Sequence, residues 1–246
     1  MPQHRTNPAA ALILGEGLSI AEAARRAGVS HAAMSRWLRE AVEAKTERND
    51  RADPPTAASK GGAAPAGLGP VPLRRRRICF DTETTGLSWR MGDRVVEIGA
   101  VEMNEALEPV RRFQAYLNPQ RSVPWSAYRV HGLSTEFLSD KPLFSDVADE
   151  FLAFVEGAEL IGHNAAFDRG FLNMELGRAG WPLLEDAGCT VTCTLRMARR
   201  VFPHQSNTLD VLCTRLGVDR SSRTHHGALL DSEILCGVYR ELLNRV

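Results

Sequence analysis

The sequence predicts an α/β domain, with a mixed sheet flanked by helices, that is preceded by a small all-α unit. From residue 74 onward, short apolar strands alternate with amphipathic helices, the pattern of a sheet covered by helices. An Ala/Pro/Gly-rich stretch over residues 46–73 cannot bury apolar surface and indicates a flexible linker. The chain therefore divides into a helical unit (1–45), a linker (46–73) and the α/β domain (74–246).

The composition indicates a globular protein without a general attraction for nucleic acid. Hydrophobic residues make up 43% of the 246 positions, and thirty basic residues balance thirty acidic ones. The five cysteines form no C-x-x-C pair, which argues against a zinc site or a disulfide framework. We find neither a signal peptide nor a membrane-spanning run, so we expect a cytoplasmic bacterial protein with no membrane partner.

The first 45 residues have the capping and turn residues of two short helices. Ser19 can cap the first helix, Gly28 makes a tight turn, and Ser30 can cap the second helix. This pattern resembles the helix-turn-helix of bacterial regulators and transposases, whose second helix enters the major groove of DNA. The resemblance offers five residues for contact with duplex DNA: His31, Ala32, Ser35, Arg36 and Arg39. A helical hairpin used for protein contact is the open alternative.

The α/β domain begins with a short apolar strand over residues 78–80 that leads into a turn at Gly86. The later elements follow in order: strands over 95–103 and 111–117, a helix over 144–155, a strand over 159–163, a helix capped by Asn164 that ends before Gly180, and helices over 192–201, 208–216 and 228 to about 245. The basic run over 74–77 just before the first strand either contacts phosphates or is a solvated linker end.

Two acids follow the first strand at positions that share one face. Because strand side chains alternate, Asp81 and Glu83 point the same way as Cys79, while Ile78 and Phe80 point to the other face. Carboxylates placed together at the end of a core strand repel each other and are tolerated when a cation lies between them. Two solvated acids are the alternative for this pair taken alone.

Two further acids lie on predicted helices. Asp168 falls in the first turns of the helix after Asn164, where a carboxylate also complements the helix dipole. Asp231 lies on the last helix in a stripe whose other members are apolar: Ile234, Leu235, Val238 and Leu242. A carboxylate facing the core needs a partner, and a metal ion and a buried ion pair are both open.

A histidine lies close to Asp231 in the sequence. His226 precedes the helix of Asp231, and an imidazole with a pKa near 6.5 can accept a proton from water. We expect its neighbour His225 to be solvated or to contact the site residues from behind, since adjacent residues do not generally both face one site. Together the acids and His226 offer ligands for two hard divalent cations and a general base.

Five segments, in order, resemble the DEDDh 3′–5′ exonucleases, and most closely the DnaQ-like proofreading (epsilon) type of bacterial DNA polymerase III. They are residues 81–86 (DTETTG), 96–102 (VEIGAVE), 130–133 (VHGL), 163–168 (HNAAFD) and 226–231 (HGALLD). The resemblance covers about residues 76–243 and implies the ribonuclease H-like exonuclease fold.

The resemblance implies a role for each site residue. Asp81 would bridge two Mg²⁺ or Mn²⁺ ions, Glu83 and Asp231 would hold the ion that activates water, and Asp168 would hold the second ion. His226 would take the proton from the attacking water. The implied reaction is hydrolysis of the terminal phosphodiester at a 3′ end, which releases a nucleoside 5′-monophosphate.

The resemblance also implies which residues surround the terminal nucleotide and which substrate the protein cleaves. The residues at the matching positions are Thr84, Thr85, Leu87, Val130, His131, His163 and Phe167. The expected substrate is a single-stranded or frayed 3′ end of DNA, in proofreading or repair. An exonuclease acting on RNA, or a DNA-binding or scaffolding protein with a vestigial nuclease domain, is the alternative.

The chain departs from the proofreading pattern in two respects. It ends at Val246 without the clamp-binding motif and tail of the family, so the replicative polymerase is an expected partner without an identified docking segment. Ser126 and Arg129 stand where the family often has an acid and a small residue, close to His131, and we expect them to alter how the 3′ nucleotide is held.

Overall fold

The computed structural model describes residues 75–221, 223 and 225–245, together with the single helical position Arg26. The DNA contacts predicted at His31, Ala32, Ser35, Arg36 and Arg39 lie outside the described residues. The predicted linker over 46–73 lies outside them as well.

A five-stranded mixed sheet with the order β3-β2-β1-β4-β5 forms the centre of the α/β domain. Its strands are β1 (Arg77–Thr84), β2 (Val95–Met103), β3 (Pro109–Tyr116), β4 (Glu159–Gly162) and β5 (Thr190–Cys193). Strand β2 runs antiparallel to β1 and β3, whereas β4 runs parallel to β1 and β5. The carboxyl ends of β1, β3, β4 and β5 therefore meet at one edge, which we call the carboxyl edge.

Helices cover both faces of this sheet. They are α1 (Trp125–His131), α2 (Thr135–Leu138), α3 (Phe144–Val155), α4 (Ala166–Arg178), α5 (Thr194–Val201), α6 (Leu209–Leu216) and α7 (Ala228–Leu243), and a 3₁₀ turn spans Trp89–Met91. Among the residues described, no helix is both long and apolar enough to cross a membrane.

The two faces of β1 bury different helices, as the predicted alternation requires. Ile78 and Phe80 belong to the core cluster formed with α3 and α4, whereas Cys79 packs with residues of α7 such as Leu235 and Tyr239. The mixed sheet flanked by helices and the common face of Cys79, Asp81 and Glu83 are thus confirmed.

Two local predictions are wrong. The helix predicted over 192–201 begins only at Thr194, because residues 190–193 form β5 and pair with β4. Three of these four residues, Thr190, Val191 and Thr192, are β-branched and favour an extended strand beside an existing edge. Asn164 does not cap α4 through its side chain: it adopts a left-handed φ of 64°, and Ala165 is the N-cap residue. The short helices α1 and α2 and the strand β5 were not predicted.

The last two residues of the basic run before β1 contact the rest of the domain. Arg76 donates to the carbonyl oxygens of Phe154 (2.9 Å) and Glu156 (2.8 Å), and Arg77 pairs with Glu159 at 3.5 Å. These contacts give Arg76 and Arg77 a structural role, and contact of the basic run with phosphates stays a prediction.

The start of α7 is fixed directly on β2. The Ala228 N–H donates to Glu97 Oε2 at 3.0 Å, and Ser232 Oγ donates to the Gly99 carbonyl oxygen at 3.0 Å. A Cβ on Gly99 would lie 2.1 Å from the Ala228 carbonyl carbon, so only glycine permits this approach. The close crossing brings Asp231, in the first turn of α7, toward β1.

We expect Gly99→Ala to destabilise the domain by about 1–3 kcal/mol, because the added methyl group pushes α7 away from β2. Urea unfolding of the purified protein measures this loss. Gly177→Ala is the matched control: a Cβ there meets only Leu183 at 3.9 Å, and alanine in a helix gains about 0.5–1 kcal/mol over glycine. Equal effects of the two substitutions would contradict the docking role of Gly99.

Candidate active site

The five residues predicted for catalysis meet at the carboxyl edge of the sheet. Asp81 and Glu83 come from β1, Asp168 from the first turn of α4, and Asp231 from the first turn of α7, with His226 just before α7. Glu83, Asp168 and Asp231 are buried, while the His226 ring is about half exposed, at 47%. Buried acids lie therefore close to a histidine that solvent can reach.

Burial raises the pKa values of three acids, and neighbouring negative charges add to this effect at Asp81 and Glu83. Burial, followed by the negative charges of Asp168, Glu83 and Asp231, raises the pKa of Asp81 well above its usual value. Burial, with the charges of Asp231 and Glu97 added, raises the pKa of Glu83 to about 8. Burial also raises the pKa of Asp168 to about 6. The site therefore has more negative charge than its surroundings compensate.

A threonine between the two β1 acids holds the third acid. Thr82 Oγ1 and its backbone N–H both donate to Asp168 Oδ1, at 2.8 and 3.1 Å, and these bonds lower the pKa of Asp168 against the effect of burial. Because strand side chains alternate, Thr82 faces α4 while Asp81 and Glu83 face α7. Strand β1 thus carries two acids and positions a third, a role that sequence reasoning missed.

The two oxygens of Asp231 have different surroundings. Oδ2 accepts a hydrogen bond from Arg223 Nη2 at 2.6 Å and lies 3.2 Å from His226 Nδ1. Oδ1 is buried and has no hydrogen-bond partner among the residues described. The sequence left an ion pair and a metal ion as alternatives for Asp231. The two are compatible, because Arg223 binds Oδ2 while Oδ1 remains available to a metal ion.

Arg223 is a site residue that sequence reasoning missed. Its side chain is only 6% exposed, and it also pairs with Asp210 of α6 and lies 2.5 Å from His226 Nδ1. Arg223 lies in a loop without helical or strand periodicity, and its acid partners come from two different helices. The only signal in the sequence was an arginine three positions before His226.

The residues present fit a divalent cation. Glu83, His226 and Asp231 each offer a ligand atom, and these atoms lie within 4.8 Å of one another. The free Oδ1 of Asp231 and the raised pKa values of Asp81 and Glu83 indicate that a positive charge would stabilise the site. Carboxylate oxygens are the ligands that Mg²⁺ and Mn²⁺ prefer.

Four of the residues predicted around a terminal nucleotide fall into two groups, one exposed and one buried. Leu87 and Val130 expose apolar side chains, at 86% and 45%. Thr84 and Thr85 are buried and shape the loop after β1: Thr84 Oγ1 donates to the Gly86 carbonyl, and Thr85 Oγ1 accepts from the Arg94 N–H. The His226 N–H donates to the Val130 carbonyl at 3.1 Å, which connects this side to His226.

The remaining predicted contacts are aromatic. His131 is buried, its Nδ1 accepts from the Leu133 N–H, and its Nε2 has no partner within the described part of the chain. Burial lowers the pKa of His131, and it lowers that of His163 to about 4, so we expect both rings to be neutral at pH 7. Phe167 packs on Phe171 with a centroid distance of 4.9 Å. His225 is exposed, as predicted.

Comparison with family models divides the chain into two matched regions. Residues 78–239 match a family model described as Exonuclease. Residues 3–61 match a second model, of the helix-turn-helix kind, described as Transposase.

Curated relatives match the same α/β region. DNA polymerase III subunit epsilon of Rickettsia conorii is 52% identical over 171 residues, which cover 68% of this chain and 74% of the relative. The Escherichia coli K12 subunit epsilon is 46% identical over 169 residues, which cover 67% of this chain and 70% of the relative.

Solved exonuclease structures have the same fold. Exonuclease X, solved in complex with 5′-overhanging duplex DNA, matches with a TM-score of 0.54 and 25% identity, over 68% of this chain and 91% of that one. Exonuclease I from Methylocaldum szegediense matches with a TM-score of 0.61 and 18% identity, over 70% of this chain and 41% of that one.

We expect the metal-free protein to lose stability as the pH rises from about 5 to 8. The pKa of Glu83 is raised from 4.5 to about 8, so between these values the folded state keeps a proton that the unfolded chain has released. The free energy of unfolding then falls with pH, by at most about 1.4 kcal/mol per pH unit for one such group. Unfolding in EDTA at several pH values measures the slope.

Two comparisons control this pH measurement. Glu83→Gln removes the titrating group and should reduce the slope, and saturating Mg²⁺ should stabilise the wild-type protein more at pH 8 than at pH 5. His163, whose pKa is lowered to about 4, adds an opposite slope to both proteins up to about pH 6.5, so equal slopes of the wild type and Glu83→Gln in EDTA would contradict the assignment of Glu83.

We expect Arg223→Gln to destabilise the metal-free protein by roughly 3 kcal/mol, because it removes the partner of a buried carboxylate. Thermal unfolding in EDTA and in saturating Mg²⁺ measures the loss, which should shrink when Mg²⁺ compensates Asp231. Arg220→Gln is the matched control, since Arg220 pairs with the same Asp210 but is 44% exposed. Similar losses for both variants would show that Arg223 has no special role at Asp231.

Proposed function

This chain belongs to the exonuclease family, and we propose that it removes nucleotides one at a time from 3′ ends of DNA during proofreading or repair. Its α/β domain is a 3′–5′ DNA exonuclease domain akin to DNA polymerase III subunit epsilon. The observation that carries the proposal is the meeting of four acids and His226 at the carboxyl edge, where burial raises the pKa values of Asp81, Glu83 and Asp168 and neighbouring acids raise those of Asp81 and Glu83 further.

Asp81, Glu83, Asp168 and Asp231 would hold two divalent cations, Mg²⁺ or Mn²⁺. When bound, such ions lower the pKa of water and stabilise the attacking and leaving oxygens of an in-line displacement. The charges of the other three acids all act on Asp81, which supports a bridging role for it. Thr82 orients Asp168, and Arg223 orients Asp231 so that Oδ1 stays available.

His226 would accept the proton of the attacking water. Of the two ring nitrogens of an uncharged imidazole, one carries a lone pair that can take this proton. The half-exposed ring is accessible to water, and the backbone bond to Val130 fixes its position. Water would attack the terminal phosphodiester, the O3′ of the preceding nucleotide would leave, and a nucleoside 5′-monophosphate would be released.

The terminal nucleotide would lie against the loop after β1 and the end of α1. Exposed Leu87 and Val130 offer apolar contact to a base without reading its identity. Five further side chains complete the proposed pocket: Thr84, Thr85, His131, His163 and Phe167. Trp125 stacks on Tyr128 in α1, and Trp125 is 68% exposed, so this helix also presents an aromatic surface beside the pocket.

The N-terminal unit would bind duplex DNA and bring the nuclease to its substrate. The match of residues 3–61 to a helix-turn-helix model supports this function, with His31, Ala32, Ser35, Arg36 and Arg39 as the proposed contacts. The replicative polymerase is a proposed partner, because the curated relatives are subunits of DNA polymerase III.

We expect Asp81→Asn to lower Mg²⁺-dependent digestion of a single-stranded DNA oligonucleotide by at least about 10³-fold, because it removes the central charge of the acid cluster. Release of labelled mononucleotide measures the rate. Asp140→Asn, at an exposed acid that pairs with Lys141, is the matched control and should leave the rate unchanged.

Mg²⁺-dependent digestion of the oligonucleotide by Asp81→Asn at the wild-type rate would contradict the proposed mechanism. The same assay on DNA and RNA of one sequence tests the substrate class, because sugar selection depends on contact with the 2′-hydroxyl. We expect faster digestion of DNA, and a preference for RNA would overturn the proposed role in proofreading or repair.

We expect deletion of residues 1–45 to weaken binding to duplex DNA by about tenfold, since the proposed tether contributes its own phosphate contacts. Fluorescence anisotropy with a labelled duplex measures the affinity. Turnover on short single strands should be unchanged, because the catalytic residues lie in the α/β domain. Equal duplex affinity of the two proteins would contradict the tether.

A further inference from the structure

The sheet order places two different flanks around the acid cluster. Strand β1 lies in the centre, α1 follows β3 on one side, and α5 and α6 follow β5 on the other. Because these strands share the carboxyl edge, the connections after β3 and β5 lie on opposite sides of Asp81. A DNA strand whose terminal phosphodiester lies at the acids must extend to both sides of them.

A cavity of about 650 Å³ runs from the acids toward the β5 flank. Asp81, Asp231 and His226 line one part of it. Residues of α5, α6 and their connection line most of the rest, including the polar residues Arg199, Gln205, Ser206, Asn207 and Thr208. Of the residues proposed around the terminal nucleotide, His163 alone borders this cavity.

Arg199 lines this cavity with a positive charge that can bind a phosphate, because no acid pairs with it among the described residues. It is exposed on α5, whose sequence contains no acid. Arg223 at the same cavity is committed to Asp210 and Asp231, and Asp210 is in turn neutralised by Arg220 and Arg223. The charge of Arg199 also reaches His163, whose pKa it helps to lower.

We propose that this cavity binds the part of the DNA strand that precedes the terminal nucleotide, and that Arg199 contacts a phosphate of this part. The inference rests on the proposed exonuclease function and extends it to a second subsite. The acids repel a phosphodiester strand, so a cation beside them is needed to hold each phosphate that has not yet been cut. The hydroxyl and amide groups of Ser206 and Gln205 suit a sugar–phosphate backbone and read no base sequence.

The test compares a strand with a substrate that has no preceding nucleotide. Full-length wild-type and Arg199→Gln proteins are assayed on a single-stranded DNA oligonucleotide and on the p-nitrophenyl ester of thymidine 5′-monophosphate. We expect Arg199→Gln to raise KM for the oligonucleotide about tenfold with kcat nearly unchanged, and to leave ester hydrolysis unchanged. The salt dependence of log(1/KM) should become shallower by about one unit of slope.

Arg200→Gln is the matched control. Arg200 is the next residue of α5, is exposed like Arg199 and does not line the cavity. It should leave both reactions unchanged. Equal effects of Arg199→Gln and Arg200→Gln on the oligonucleotide would overturn the subsite, and so would an equal loss of ester hydrolysis and oligonucleotide digestion by Arg199→Gln.

Direct binding separates this inference from the proposed function. In the Asp81→Asn background with Mg²⁺, anisotropy of a labelled single-stranded oligonucleotide should show about tenfold weaker binding after Arg199→Gln. Unchanged affinity would overturn the subsite. If the wild-type protein digests no DNA, the proposed function fails, while the affinity change still decides whether the cavity binds the strand.

Discussion

The repulsion among carboxylates at the end of β1 is the constraint on which the rest of the site depends. Asp81 and Glu83 share one face of the central strand, and burial removes the water that would screen them. Asp168 and Asp231 add negative charge beside them, and this repulsion lowers the stability of the folded protein. That cost is understandable when the cluster binds cations during its function, and the free Oδ1 of Asp231 indicates where one ligand remains available.

The fold brings the other acids to β1 from both faces of the sheet. On one face, Thr82 accommodates Asp168 of α4 through two hydrogen bonds. On the other face, the close contact at Gly99 lets α7 cross β2 and present Asp231. Arg223 then compensates part of the charge of Asp231 and joins the loop of His226 to α6. The contacts at Thr82 and Gly99 join residues far apart in the sequence, so the site forms only when the domain folds.

The sequence allowed the acids and His226 to be predicted because their signals are local. Strand alternation defines the common face of Asp81 and Glu83, and the helical stripe defines the inward position of Asp231. Arg223 was missed because its partners come from two separate helices. Strand β5 was missed because it has only four residues and runs directly into α5, and the helix α1 has just seven residues, too few for a clear helical period.

Proton release on metal binding tests most directly whether the acid cluster is a cation site. At pH 7 a carboxyl group with a pKa of about 8, as at Glu83, keeps its proton in the metal-free protein and loses it when a cation binds. Calorimetric titration with Mn²⁺ at pH 7 in two buffers of different ionisation enthalpy counts the protons released. We expect saturable binding with release of protons, and a marked loss of both in Glu83→Gln. Binding without proton release, or no binding, would contradict the account.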